Sequence, residues 1–155
     1  MKIPFYQVDA FTDKVFGGNP AAVCLLDNWP EDPVMQYIAA ENNLSETAFL
    51  VGSGADYDLC WFTPALEIDL CGHATLASAF VIFNYLEKEL DAVRFQTASG
   101  ELRVAKSGDL LTMDFPTRHA VHRKPVTGLA KALGEQPVEV YGARDILAVF
   151  ENEGG

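Results

Sequence analysis

The chain has 155 residues, with 22 Asp and Glu against 11 Lys and Arg and a formal net charge of −11. That length suffices for one ordinary domain with a real core, and 49% apolar with 21% charged residues fits a soluble globular chain. The acidic balance speaks against nucleic acid or an anionic membrane as the main partner, while a small anionic substrate held by local donors stays open.

Residues 3–11 (IPFYQVDAF) are apolar with partial alternation and predict a strand. The run Gly17-Gly18-Asn19-Pro20 is a dense turn signal. Residues 21–26 predict a second, buried strand. Pro30 and Pro33 open a helix to about Glu41, with Val34, Ile38 and Tyr37 facing inward. Residues 47–52 and 57–63 form a hairpin about Ser53-Gly54-Ala55-Asp56. Residues 67–70 (EIDL) alternate, with Glu67 and Asp69 on the wet face. Then Cys71-Gly72-His73-Ala74-Thr75 begins a long helix to about Glu89.

Between Ala74 and Phe83 only Thr75 and Ser78 are polar. A helix apolar on nearly every side is buried on nearly every side, so a sheet must wrap it. Three short strands follow at 93–97, 102–105 and 110–115, set as an antiparallel meander by Ser99-Gly100 and Ser107-Gly108-Asp109. The expected class is α+β, an antiparallel, barrel-like sheet around one hydrophobic helix. Residues 116–124 (PTRHAVHRK) have no apolar pattern and read as a linker. Pro125 opens a short helix to Leu133, and strands follow at 138–141 and 146–150. The division expected is a complete half over 1–118, then, over 119–155, linker and the start of an incomplete second half.

Three cysteines, Cys24, Cys60 and Cys71, show no paired spacing, so a reducing cytoplasm is the default compartment. The N-terminal MKIPFYQVDAF has no apolar signal core, and the longest apolar run, near 76–83, is too short to span a bilayer.

Two segments carry candidate chemistry. The start of the buried helix offers unpaired N–H groups and the positive end of the macrodipole, so Gly72, Ala74 and Thr75 can cradle a carboxylate. His73 can donate a hydrogen bond or move a proton. The plainer alternative is a tight turn at Gly72 with His73 or Thr75 as a cap. Glu46 sits among packing residues in Asn43-Leu44-Ser45-Glu46-Thr47-Ala48-Phe49. It is an exposed strand end, a partner for a backbone donor, or a buried general acid/base. Cys71 is a thiolate base or a small buried hydrophobe. A metal set drawn from Cys71, His73, His119 and His122 matches no common zinc spacing, and no metal is expected. The glycines form neither a dinucleotide fingerprint nor a phosphate loop.

"FGGNPAAV" (16–23), "NLSETAFL" (43–50) and "WFTPALEIDLCGHATLASA" (61–79), in this order and spacing, resemble the phenazine-biosynthesis PhzF-like family, whose members have the diaminopimelate-epimerase fold. The resemblance runs from residue 3 to about 150. It implies two pseudo-symmetric halves with an active site in the cleft between them, and an isomerase that shuttles protons on a small carboxylated substrate without cofactor or metal. It implies Glu46 as the proton-transferring group, with Ser45 and Thr47 tuning it, His73 as donor or relay, and Gly72-His73-Ala74-Thr75 as the carboxylate site. Cys71 stands where related racemases and epimerases keep one of a cysteine pair, a use that PhzF-like proteins are not thought to share.

Two departures qualify the likeness. Cys60 replaces a residue that is often basic in the family. Family members are also nearly twice as long, and their second half supplies further cleft residues, including an aspartate and a glycine/serine segment. A half-length or truncated form is therefore expected. The alternatives are a non-catalytic half that binds or dimerises and a Cys71-dependent racemase. A homodimer is the expected assembly.

Overall fold

The structure is a computed structural model that describes residues 2–124 and 126–152. It separates into two compact units that divide at Phe115 and Pro116.

Among the described residues of the first unit, one sheet holds eight strands: β1 (Phe5–Ala10), β2 (Asn19–Leu26), β3 (Glu46–Ser53), β4 (Asp56–Phe62), β5 (Glu67–Ile68), β6 (Ala92–Thr97), β7 (Gly100–Ser107) and β8 (Leu110–Asp114). Their order is β1-β2-β3-β4-β6-β7-β8, with β5 attached to β4. The expected α+β class holds, and the sheet curls around the helix α2 (Gly72–Val81). Its pairing is mixed rather than antiparallel throughout. β2 runs parallel to β3, and β4 parallel to β6. Both parallel joins occur where a helix intervenes, α1 (Asp32–Asn42) in the first case and α2 in the second. A parallel return needs such a crossover, whereas the short turns at 54–55, 98–99 and 108–109 give the antiparallel pairs.

Near the turn before β2, Gly18 answers a close approach. A Cβ there would run into the Ala10 carbonyl oxygen and lie 2.6 Å from the Thr12 methyl carbon. Only glycine lets β1 and β2 close so tightly at that end.

α2 is nearly as buried as its composition requires. Ala74, Ala77, Ala79 and Val81 are wholly enclosed, packed with Val23, Ala48, Leu50, Trp61, Phe95 and Val104 from the surrounding strands. The small side chains on α2 let the sheet approach closely. One strip escapes. Leu76 is half-buried and Phe80 exposed, and with Ala77 they line a cavity of about 730 Å³ between the sheet's two edge strands, β1 and β8. The wrapping is thus incomplete along one line.

The predicted helix to Glu89 is shorter. After Val81 the chain passes into a π-helical turn, Ile82–Leu86, closed by the Glu87 N–H donating to the Ile82 carbonyl at 2.7 Å. Ile82 and Phe83 stay in the core while Asn84 and Tyr85 reach water. The outer side of the sheet carries α1. There Met35 and Ala39 are the buried residues, packed with Cys24, Phe49 and Phe62. Tyr37, expected to face inward, is 71% exposed. The stripe runs through 35, 38 and 39, and 37 lies on the opposite side of a 3.6-residue repeat.

In the second unit, β9 (Val121–His122), β10 (Glu139–Gly142) and β11 (Ile146–Val149) form a three-stranded antiparallel sheet, order β11-β10-β9, with a short helix α3 (Leu129–Leu133). β9 falls inside the segment expected to be a linker. Two exposed residues are too few to display a strand's alternation. Pro125, expected to open α3, and Glu153-Gly154-Gly155 at the end lie outside the described residues. Among the described residues, no helix is long and apolar enough to cross a membrane.

Candidate active site

Glu46 is the first residue of β3, and strand alternation decides where it points. Ala48 and Leu50, on the same side, belong to the core around α2. Glu46 therefore sits on the inner face, aligned with Ala21 of β2. Thr47 and Phe49 take the outer face. The Thr47 hydroxyl accepts a hydrogen bond from Asn42 Nδ2 at the end of α1, 3.2 Å away. The expected tuning of Glu46 by Thr47 is not what the geometry gives, because neighbouring residues of a strand face opposite ways. Ser45 is exposed. The entry into β3 is set by Asn43, whose left-handed backbone (φ 52°, ψ 33°) caps α1, its N–H donating to the Ala39 carbonyl.

The other half of the cluster comes from the turn into α2. Cys71 is the extended residue before the helix (φ −143°, ψ 120°), and Gly72, His73 and Ala74 make its first turn. Those amides have no intrahelical acceptor. The His73 and Ala74 amides face the Cys71 sulfur, too loosely for a capping hydrogen bond, and no acidic residue occupies the first turn. Gly72 has an ordinary backbone, and a Cβ added to it would meet nothing within 4 Å. The chain itself thus gives no steric reason for glycine there, and the space in front of the helix start is open. Thr75 is fully buried, its hydroxyl donating to the Cys71 carbonyl at 2.5 Å, and Ser78 does the same to Ala74 at 2.7 Å. The Thr75 hydroxyl proton is therefore spent on the helix itself.

The two halves meet at His73. Its Nε2 lies 3.2 Å from Glu46 Oε2, with the side chains 8% and 17% exposed. The pair is at ion-pair distance, but the N–H direction is off-line, so neither buried atom has a hydrogen-bond partner among the described residues. On the other edge of the ring, Nδ1 shares a hydrogen bond with Cys71 Sγ at 3.5 Å. Trp61 Nε1 is likewise buried without a partner. Sequence reading did not single out Trp61, whose only signal was its place at the head of the W-F-T-P motif.

Burial pushes the Cys71 thiol up to about 11, and the negative charge of Glu46 adds to it. The amides of Ala74 and His73 pull the other way without prevailing. The helix start does not make this cysteine a thiolate at neutral pH, contrary to one of the sequence readings. Burial also lifts Cys24 to about 12. The thiolate is the nucleophile, so buried, protonated Cys71 reacts poorly at pH 8. Iodoacetamide treatment of the folded protein at that pH is expected to modify half-buried Cys60 first and leave Cys24 and Cys71 intact, as read by peptide mass mapping. Unfolding should make all three react alike.

Ligand atoms of Glu46, Cys71 and His73 come within 4.8 Å of one another. A metal there would have to displace the thiol proton and reorient an imidazole whose two nitrogens already face Sγ and Oε2. The residues fit a row of polar contacts, thiol to imidazole to carboxyl, better than a convergent ligand set. His119 and His122 belong to the second unit, where His122 stacks edge-on against Tyr141. The 730 Å³ cavity is lined by none of Glu46, Cys71 or His73, and it bears Asp9, Asp13 and Asp109. Three carboxylates make it a poor receptacle for an acid.

The family model described as phenazine biosynthesis-like protein (PhzC-PhzF) matches residues 8–150. An uncharacterized isomerase of Pseudomonas aeruginosa is 52% identical over 153 residues, covering 99% of this chain and 59% of that protein. The human phenazine biosynthesis-like domain-containing protein is 47% identical over 124 residues, 75% of this chain and 43% of its own. The crystal structure of a PhzF-family phenazine biosynthesis protein from Enterococcus faecalis superposes with a TM-score of 0.90 at 48% identity, covering 99% of this chain and 59% of that one. A predicted epimerase from Pseudomonas aeruginosa, at 21% identity, shares the fold with a TM-score of 0.66 over 86% of this chain and 49% of its own. The chain spans 59% of the length of the bacterial isomerases it matches.

Proposed function

The chain belongs to the phenazine biosynthesis-like (PhzC-PhzF) family, and from that premise we propose that it carries the proton-transfer centre of a cofactor-independent isomerase acting on a small carboxylated substrate. The observation that supports this reading is the contact of Glu46 with His73 at the open, amide-rich start of α2. A carboxylate of the substrate lies against the amides of the Gly72–Ala74 turn, where the helix dipole favours negative charge. Glu46 takes a proton from one carbon and returns it at another, moving a double bond. His73 holds the Glu46 carboxyl in place. These steps draw only on side chains and backbone, so neither metal nor cofactor enters the proposal. The setting proposed is the cytoplasm.

Gly72 separates binding from folding. Alanine fits its backbone and meets open space, so Gly72→Ala is expected to hold or raise the melting temperature slightly, since glycine costs a helix about 0.5–1 kcal/mol relative to alanine. The added methyl group points into the space proposed for the carboxylate, and KM should rise about 10-fold, equivalent to ~1.4 kcal/mol. A large fall in melting temperature would instead make the glycine structural.

A second reading is a non-catalytic half that associates with a copy of itself. It draws on the exposed Phe11, Val15, Phe16, Phe80 and Tyr85 about β1, an apolar surface of the kind that marks interfaces. Light scattering separates the two: a monomer with turnover contradicts the second reading. A Cys71-dependent racemase is the weakest reading, because burial keeps that thiol protonated.

A further inference from the structure

We propose that Cys71 is a positioning residue for His73: its S–H donates to Nδ1 and thereby fixes the imidazole in the tautomer that carries its proton on Nε2, facing Glu46. An uncharged imidazole has one donor and one acceptor nitrogen, and the partner of one decides the state of the other. Here both partners are known. Sγ is 3.5 Å from Nδ1, and Oε2 is 3.2 Å from Nε2. The ring is buried, and Nε2 and Oε2 have no hydrogen-bond partner among the described residues. An ionised carboxylate only accepts. A proton on Nδ1 would leave the Nε2 lone pair facing carboxylate lone pairs in a site with little water to screen them. A proton on Nε2 turns the same contact into an attraction.

The sulfur supplies the matching half. With the ring proton on Nε2, Nδ1 is bare and can only accept, so the proton shared across the 3.5 Å contact is the one on sulfur. Burial keeps that proton in place, with the thiol pushed up to about 11. The consequence concerns Glu46, and it rests on reading Glu46 as the acid–base group. With Oε2 turned toward the Nε2 edge of the ring at 3.2 Å, the other carboxylate oxygen is left for the substrate's proton. The thiol neither gains nor loses a proton in the cycle. It selects which edge of the histidine donates.

The test reads the tautomer directly. Long-range proton–nitrogen NMR of the chain labelled with ¹⁵N-histidine gives three imidazole spin systems, those of His73, His119 and His122. His119→Gln and His122→Gln variants assign His73 by elimination. The expected wild-type result is a protonated Nε2 and a bare Nδ1. Cys71→Ala should raise the Nδ1–H population at least several-fold, and Cys71→Ser, which keeps a donor, should restore the wild-type pattern. A wild-type proton on Nδ1 or on both nitrogens overturns the proposal, as does an unchanged tautomer in Cys71→Ala. If Cys71→Ala does not fold, the wild-type spectrum and Cys71→Ser still decide. On a turned-over substrate, Cys71→Ala should lower kcat with KM unchanged, and serine should recover it. The NMR result is independent of turnover, so full activity in Glu46→Gln would remove the acid–base reading while leaving the tautomer assignment standing.

Discussion

Glu46→Gln is expected to lower kcat about 10²–10⁴-fold, the range that a positioned general acid or base contributes, while leaving the melting temperature within a few degrees of wild type. Glutamine preserves the volume at the head of β3 and its place beside Ala48 and Leu50 on the inner face. What it loses is the ability to take a proton from carbon. The measurement is solvent deuterium incorporation into a panel of small cyclic and acyclic carboxylic acids, followed by NMR, with the wild-type chain establishing which acid exchanges. KM should change little, because the proposed carboxylate contacts lie on α2 rather than on Glu46. Undiminished exchange in this variant would dismiss Glu46 as the base. A comparable loss in both kcat and melting temperature would point to a structural carboxylate instead.

Trp61→Ala is the second large effect, a loss of about 3–5 kcal/mol of folding stability. Trp61 is fully enclosed on β4, aligned with Ala48 of β3 and Ile68 of β5, and it packs into the cluster around α2. Truncation leaves a cavity that the sheet cannot collapse to fill, since the strands on both sides are fixed by their ladders. Trp61→Phe should cost much less. The indole N–H is buried without a partner among the described residues, a burden of about 1–3 kcal/mol that phenylalanine removes, offsetting the smaller ring. Urea midpoints for the two variants give the comparison. Equal losses would mean that Nε1 has a partner in solution, such as water.

How far the sequence discloses this arrangement depends on range. The alternation at 46–50 places Glu46 on one face and Thr47 on the other, which a strict reading of period 2 could have settled in advance. The run of 74–83, apolar but for Thr75 and Ser78, announces an enclosed helix, and the enclosure is there apart from the Leu76–Phe80 strip. That strip stays hidden in the sequence because an exposed Phe80 looks no different from a buried one. Strand order is a different matter. Which strands become neighbours is decided by the whole chain, so the parallel joins of β2 with β3 and β4 with β6 had only one local clue, the helix lying between the partners. The π-helical turn after Val81 has none, since a widened turn uses the same residues as an ordinary one. At the site, the two segments are 25 residues apart in sequence (Glu46 to Cys71), and only the fold brings the carboxyl, the imidazole and the thiol together.

The ladder between β2 and β3 has a consequence for any assay. Six residue pairs, from Ala21 with Glu46 to Leu26 with Val51, lock the two strands. A slip by a single position would trade the carboxylate for the Thr47 hydroxyl at the inner face and turn the acid to the outer face, away from His73. Such a molecule would keep most of its secondary structure, give a near-native circular dichroism spectrum and be inert. Specific activity in a refolded preparation therefore counts correctly aligned chains, a quantity that spectroscopy of the backbone cannot see.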